Sequence, residues 1–260
     1  QSLAIREEIG DRMGVGRIRG MLSLLYMDRA EYDRAYASAE QALAIALETE
    51  DRLFEGTALS QLGEIAWRSG DLADASSRFK AAEAVFSSID DGMRALQTIV
   101  RRARVALLDE RYEDAAALAT DVHARSGTDV AFAQPNIEAL ELLGEIAHTQ
   151  GEYERAANYL QEVLATVSTM SWDRKRARIL ALLGTVEMDR GRPGKARAMV
   201  GQLLELPQTP YTLKVRARLA FEEGDVEQAR SLMREAKEEA GASWSSDDDE
   251  ILRRYVDAAA

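Results

Sequence analysis

The chain has no cysteine, which removes disulfide frameworks, thiolate metal sites and cysteine nucleophiles together. Two histidines, His123 and His148, leave little for metal or acid–base chemistry. Proline occurs four times and aromatics make up 6% of the 260 residues, beside 46% hydrophobic and 30% charged residues. That balance describes a folded helical chain rather than a disordered one. No apolar run approaches the ~18 residues of a membrane helix. A Gly-rich phosphate loop, a Gly-x-Ser-x-Gly elbow, a His-Glu-x-x-His helix and a calcium loop are also missing. Bases are outnumbered 33 to 45, and the resulting charge of -12 argues against nucleic acid or an anionic membrane as the main partner. Only five of the bases are lysine, and with 43 alanines this usage points to a GC-rich bacterial source.

What the chain does have is a repeat. Ala30, Gly70, Glu110, Gly151, Gly191 and Gly224 mark short polar breaks separated by 40, 40, 41, 40 and 33 residues. Five residues after each marker stand Ala35, Ala75, Ala115, Ala156, Ala196 and Ala229. Seven before come Ser23, Gly63, Ala103, Gly144, Gly184 and Ala217, all small. The pattern is that of a helix hairpin: small residues sit where two antiparallel helices cross closely, and the marker permits positive φ as the first helix stops. One hairpin cannot bury its apolar face alone, so neighbours must stack.

Leu62-Gly63-x-x-Ala66 followed by Gly70-Asp71-Leu72-x-x-Ala75-x-x-x-Phe79, and Leu143-Gly144-x-x-Ala147 followed by Gly151-Glu152-Tyr153-x-x-Ala156, resemble the tetratricopeptide repeat. The resemblance covers nearly the whole chain. It implies an all-α, right-handed superhelical α-solenoid of about six antiparallel hairpins with a C-terminal capping helix. The ~40-residue period, longer than the family's usual ~34, resembles repeats of bacterial signalling regulators. Departures are Ala30 and Glu110 in place of the marker glycine, Arg102 and Arg216 in place of leucine, and Glu187 in place of a small apolar residue.

A single solenoid over 1–260 is expected, with repeats at 15–50, 51–90, 91–134, 135–171, 172–208 and 209–242 and the capping helix at 245–260. Helix pairs should run 15–29 with 31–50, 52–69 with 71–89, 91–109 with 111–126, 135–150 with 152–170, 172–190 with 192–206, and 210–223 with 225–240. Ser245 followed by Asp247, Asp248 and Asp249 reads as a helix start, and Ile251, Leu252, Tyr255 and Val256 as its apolar stripe. Ser2–Asp11 matches Ala42–Asp51 almost position for position, so residues 1–14 read as the end of a preceding repeat in a longer protein.

Catalytic chemistry has one candidate, Glu141, Glu145 and His148 on one face of a first helix; carboxylates plus imidazole can bind a divalent metal, although three ligands from one helix converge poorly. The expectation is no metal, no cofactor and no enzyme. Arg101, Arg102 and Arg104 form the densest basic cluster, read as a solvated face or as donors to a ligand carboxylate.

The resemblance further implies that first helices line a concave groove with side chains ten, six, four to five and two to three residues before the marker. These positions and their neighbours are Leu24 and Met27 in repeat one, Glu64, Trp67 and Arg68 in repeat two, and Arg104 and Leu107 in repeat three. Repeat four supplies Glu141, Glu145 and His148; repeat five Arg178, Thr185 and Met188; repeat six Lys214, Arg218 and Phe221. Trp67 is open between groove contact and core packing. The only asparagines, Asn136 and Asn158, lie outside the middle of first helices, which disfavours a clamp for a terminal carboxylate.

The expected function is a cytoplasmic scaffold binding a protein or peptide segment of mixed charge, with no nucleic acid and no membrane. The second reading is a regulatory domain that senses a small-molecule effector for a transcription activator or signal-transduction ATPase. The oligomeric state is open.

Overall fold

The computed structural model describes residues 2–241 and 244–257, and these form α-helices, one 3-10 turn and no strand. The chain divides into two compact units, residues 1–142 and 143–260, with the boundary inside one helix. The first unit holds α1 (Ser2–Glu8), then hairpins α2 (Arg12–Asp28) with α3 (Tyr32–Glu48), α4 (Arg52–Ser69) with α5 (Leu72–Ser88), and α6 (Gly92–Leu108) with α7 (Tyr112–Ser126). A 3-10 turn at Val130–Phe132 leads into α8 (Ala133–Thr149), which crosses the boundary. The second unit continues with α9 (Tyr153–Ser168), α10 (Asp173–Asp189), α11 (Pro193–Leu203), α12 (Pro210–Glu222), α13 (Val226–Ala240) and α14 (Ser246–Asp257). In the first unit α3 packs on α4 and α5 on α6, so successive hairpins stack.

All six markers adopt the left-handed conformation: Ala30, Gly70, Glu110, Gly151, Gly191 and Gly224 have φ of 57, 91, 56, 75, 68 and 86°. Gly10, Glu50 and Asp90 do the same between hairpins, so the first unit turns every twenty residues from Gly10 to Glu110. The N–H of the following residue reaches back to the carbonyl five positions earlier, as from Asp51 to Ala46 at 3.0 Å and from Asp71 to Ala66 at 2.8 Å. That bond satisfies a carbonyl the helix end would leave orphaned. The same residue then caps the next helix: the carboxylates of Asp11, Asp51, Asp71, Asp91 and Asp225 accept the N–H groups of Gly14, Phe54, Asp74, Arg94 and Gln228.

Within the hairpins the expected close crossing is present. Ala35, Ala75, Ala115, Ala156, Ala196 and Ala229 are all 0% exposed. A Cβ on Gly63 would lie 2.8 Å from the Phe79 ring, and one on Gly144 would lie 2.8 Å from Leu160 Cγ. Phe79 and Leu160 are the large residues nine after their markers. Where the small residue is Ser23 or Ala103 instead, the facing position shrinks to Ala39 or Ala119, each 0% exposed.

Three expectations shift. Helix α2 starts at Arg12 rather than 15, because Asp11 caps it as Asp51 caps α4. Helix α8 starts at Ala133, ahead of Pro135, because Asp129 caps the 3-10 turn before it. Of the capping stripe, Tyr255 is buried and Leu252 packs beside it, whereas Ile251 and Val256 are exposed; the last three positions of the expected capping helix lie outside the described residues. Among the departures, Arg102 is tied to Glu83, and the buried Glu187 pairs with Arg190 at 2.5 Å.

Gly63→Ala should push Phe79 off its seat and lower unfolding free energy by about 1–3 kcal/mol. Adding Phe79→Leu should recover part of the loss, and a double-mutant cycle by chemical denaturation measures the coupling.

Candidate functional site

First helices α2, α4 and α6 of the first unit enclose a groove of about 420 Å³. Met27 and Phe86 supply its buried apolar floor; Leu24, Thr57, Ser60, Gln61, Glu64, Arg68, Arg94, Gln97, Thr98 and Arg101 line the rest. Its charges differ in how far they are satisfied. Arg68 Nε donates to Glu64 at 2.9 Å, one turn back on α4. Arg94 donates to Asp91 at the start of α6. Burial opposes ionisation of Asp91, but the backbone N–H and guanidinium of Arg94 outweigh it and hold its carboxyl below the usual range. Arg101 has no carboxylate partner among the described residues; its guanidinium donates to the neutral Ser60 hydroxyl at 2.7 Å. Arg104, half-buried further along α6, makes no hydrogen bond or ion pair among the described residues.

In the second unit Arg178, Lys214 and Arg218 of the first helices are paired with acids of the same unit. Arg178 on α10 donates to Glu145 at 2.8 Å and lies over the Tyr211 ring at 4.7 Å. His148 Nε2 is 2.6 Å from Asp189, which accepts from Arg218 at 2.6 Å, and Arg218 also donates to Glu222 at 3.0 Å. Lys214 on α12 pairs with Asp248 of α14 at 2.6 Å. Burial resists ionisation of Asp189, yet hydrogen bonds from Arg218 and His148 prevail and keep its carboxyl below its ordinary value. These pairs tie consecutive hairpins together.

The register explains which expected groove residues face outward. Positions six before the marker, namely Leu24, Glu64, Arg104, Glu145 and Arg218, are exposed or half-buried on the first-helix face. Positions ten before are an inter-helix layer instead: Ser60 is 8%, Val100 1%, Glu141 0% and Ala181 4% exposed. Glu141 is therefore no groove wall, and only Lys214 among the expected residues at that offset stays half-exposed. Positions three before pack between hairpins. Met27 belongs to the core around Ala39 and Leu62, Leu107 is half-buried, and Trp67 lies against Ala66, Ala75, Phe79 and Val105, which makes it a packing residue rather than a groove anchor. With Glu141 buried, Glu145 on Arg178 and His148 on Asp189, the three groups do not converge. Among the described residues no set of three such side chains is placed to hold a metal.

Sequence reasoning missed Gln61, Arg94 and Gln97 as groove residues, and saw Arg101 only as part of a basic cluster. They stand nine, sixteen and thirteen before their markers, with Arg101 at nine. The signal was the period itself. A repeat lengthened to 40 residues adds nearly a turn to each first helix and carries the groove toward its N-terminal end.

The tetratricopeptide repeat pattern matches three segments, residues 14–88, 139–171 and 181–244, which together make up more than half of the chain. The chain belongs to the tetratricopeptide repeat family. No curated protein matches it. Among solved structures it is similar to BtubC from P. vanneervenii, at 15% identity over 84% of this chain and 88% of that one, with a TM-score of 0.69. PilF of Pseudomonas aeruginosa aligns at 17% identity over 94% and 99%, TM-score 0.65. PilW, a widely conserved type IV pilus biogenesis factor, aligns at 19% identity over 92% and 98%, TM-score 0.64. These similarities establish the fold, an all-α repeat solenoid. Tetratricopeptide repeats act as protein-interaction scaffolds, and this chain is one. No helix among the described residues is long and apolar enough to cross a membrane.

Asp189→Asn should cost about 1 kcal/mol at neutral pH, ~2–4 °C in Tm. Because the folded carboxyl titrates below its unfolded value of 3.8, this stabilisation is complete above the unfolded pKa and disappears as pH falls through the folded one. The melting curves of parent and variant should therefore differ at about pH 5 and draw together as pH falls below 3.8.

Proposed function

We propose that the groove of repeats one to three holds an extended peptide or helix of mixed charge from a partner protein, and that the chain performs no catalysis of its own. The observation that carries this reading is Arg101, a cation on the groove wall bonded to a hydroxyl, beside amides Gln61 and Gln97 and above the apolar floor of Met27 and Phe86. A guanidinium forks onto a ligand carboxylate, the amides satisfy a peptide backbone, and the floor takes an apolar side chain. Glu64 adds the opposite sign at the same wall, which favours a partner carrying both charges. In the second unit the first-helix cations Arg178, Lys214 and Arg218 are already engaged by acids of their own unit, which favours the groove of the first. Arginine-over-lysine usage and alanine content support a bacterial source.

The test is peptide display selection on the parent chain, followed by affinity measurement on variants. Arg101→Ala and Gln97→Ala should each weaken the selected peptides about ten-fold. Arg197→Ala, on the second helix α11, should leave binding unchanged. Parent-like affinity in both groove variants would overturn the assignment.

A further inference from the structure

A second hollow lies in the other unit, between α10, α12, α13 and α14, with a volume of about 250 Å³. Ala181, Leu182, Val215, Met233, Ile251 and Tyr255 make it predominantly apolar. It is separate from the peptide groove and owes nothing to that reading. Two features mark it as more than a packing defect. Ile251, although apolar, is 42% exposed on the wall that α14 contributes. Tyr255 is only 5% exposed, with its ring stacked on Phe221 at 4.3 Å, and its hydroxyl makes no hydrogen bond among the described residues. A phenol hydroxyl that no protein acceptor takes remains available as a donor to a molecule entering the hollow.

The charged rim restricts the ligand class. Lys214 is held by Asp248 at 2.6 Å, and Arg218 by Asp189 at 2.6 Å and Glu222 at 3.0 Å. An anion entering here would have to displace a carboxylate already in place, and a cation would meet two bases. A neutral molecule meets neither obstacle. The volume falls below the ~300–1,000 Å³ of sites for drug-sized ligands, which limits the occupant to about one ring.

We infer that this hollow is a binding site for a small neutral molecule with an apolar, single-ring body and one hydrogen-bond acceptor, which receives the Tyr255 hydroxyl. Because α14 supplies Ile251 and Tyr255 while α10 and α12 supply the opposite wall, occupancy fastens α14 to the first helices it covers. That coupling makes the seating of α14 ligand-dependent.

Acetophenone and cumene are suitable probes, nearly the same shape with and without an acceptor, and NMR titration of the full chain reads both. Acetophenone should give saturable shifts confined to α10, α12 and α14, and should bind about five- to ten-fold more tightly than cumene. Tyr255→Phe keeps the ring stack and should bring acetophenone to the cumene level while leaving cumene unchanged. Ile251→Trp, at an exposed position, should fill the mouth and weaken both. The inference is overturned if neither probe saturates, if the shifts map elsewhere, or if Tyr255→Phe binds acetophenone like the parent.

Discussion

A single turn organises this protein. One residue takes the left-handed conformation, and the next residue closes the finished helix with its N–H while beginning the following one. Both jobs fall on one position, so no loop is needed and the helices must fold straight back. Four of these turns in the first unit use Ala30, Glu50, Asp90 and Glu110, residues that bear roughly 1 kcal/mol or more each in a conformation glycine adopts freely. The hydrogen bonds of the turn and the burial it permits offset that strain.

The turn matters because it fixes where side chains meet. With the reversal in place, a small residue seven before it lets the residue nine after it approach closely. Gly63 faces Phe79 and Gly144 faces Leu160, while Ser23, Ala39, Ala103 and Ala119 are all fully buried. The first-helix face is then set by what remains. Residues ten and three before the turn are drawn into contacts between neighbours, and residues six before it are left exposed or half-buried on the first-helix face.

Much of this was legible in the sequence. The markers, the alanines five after them and the small residues seven before them identified the hairpins and nearly all helix limits, since all three express one steric requirement. The turns between hairpins were harder to see, because Glu50 and Asp90 carry no glycine to signal them. The site was legible only in part. Offsets taken from the family resemblance placed Trp67 and Glu141 in the groove, whereas Trp67 packs on Phe79 and Val105 and Glu141 is fully buried. Nor does residue type disclose which cations are already satisfied. Arg218 and Arg101 look alike in sequence, yet one is bound by two acids and the other by a serine.

The two units thus present similar helices with differently engaged cations: Arg101 donates to a serine, whereas Arg178, Lys214 and Arg218 meet acids. Both arrangements rest on the turn, and it can be tested directly. Hydrogen exchange on Gly70→Val, with Gly194→Val as a control at a helical glycine with free space around it, isolates the requirement for the left-handed conformation. A β-branched residue at φ 91° is strongly disfavoured, so the account predicts loss of protection across α4 and α5 for Gly70→Val, with the control losing far less. Protection in α4 and α5 equal to that of the parent chain would contradict it.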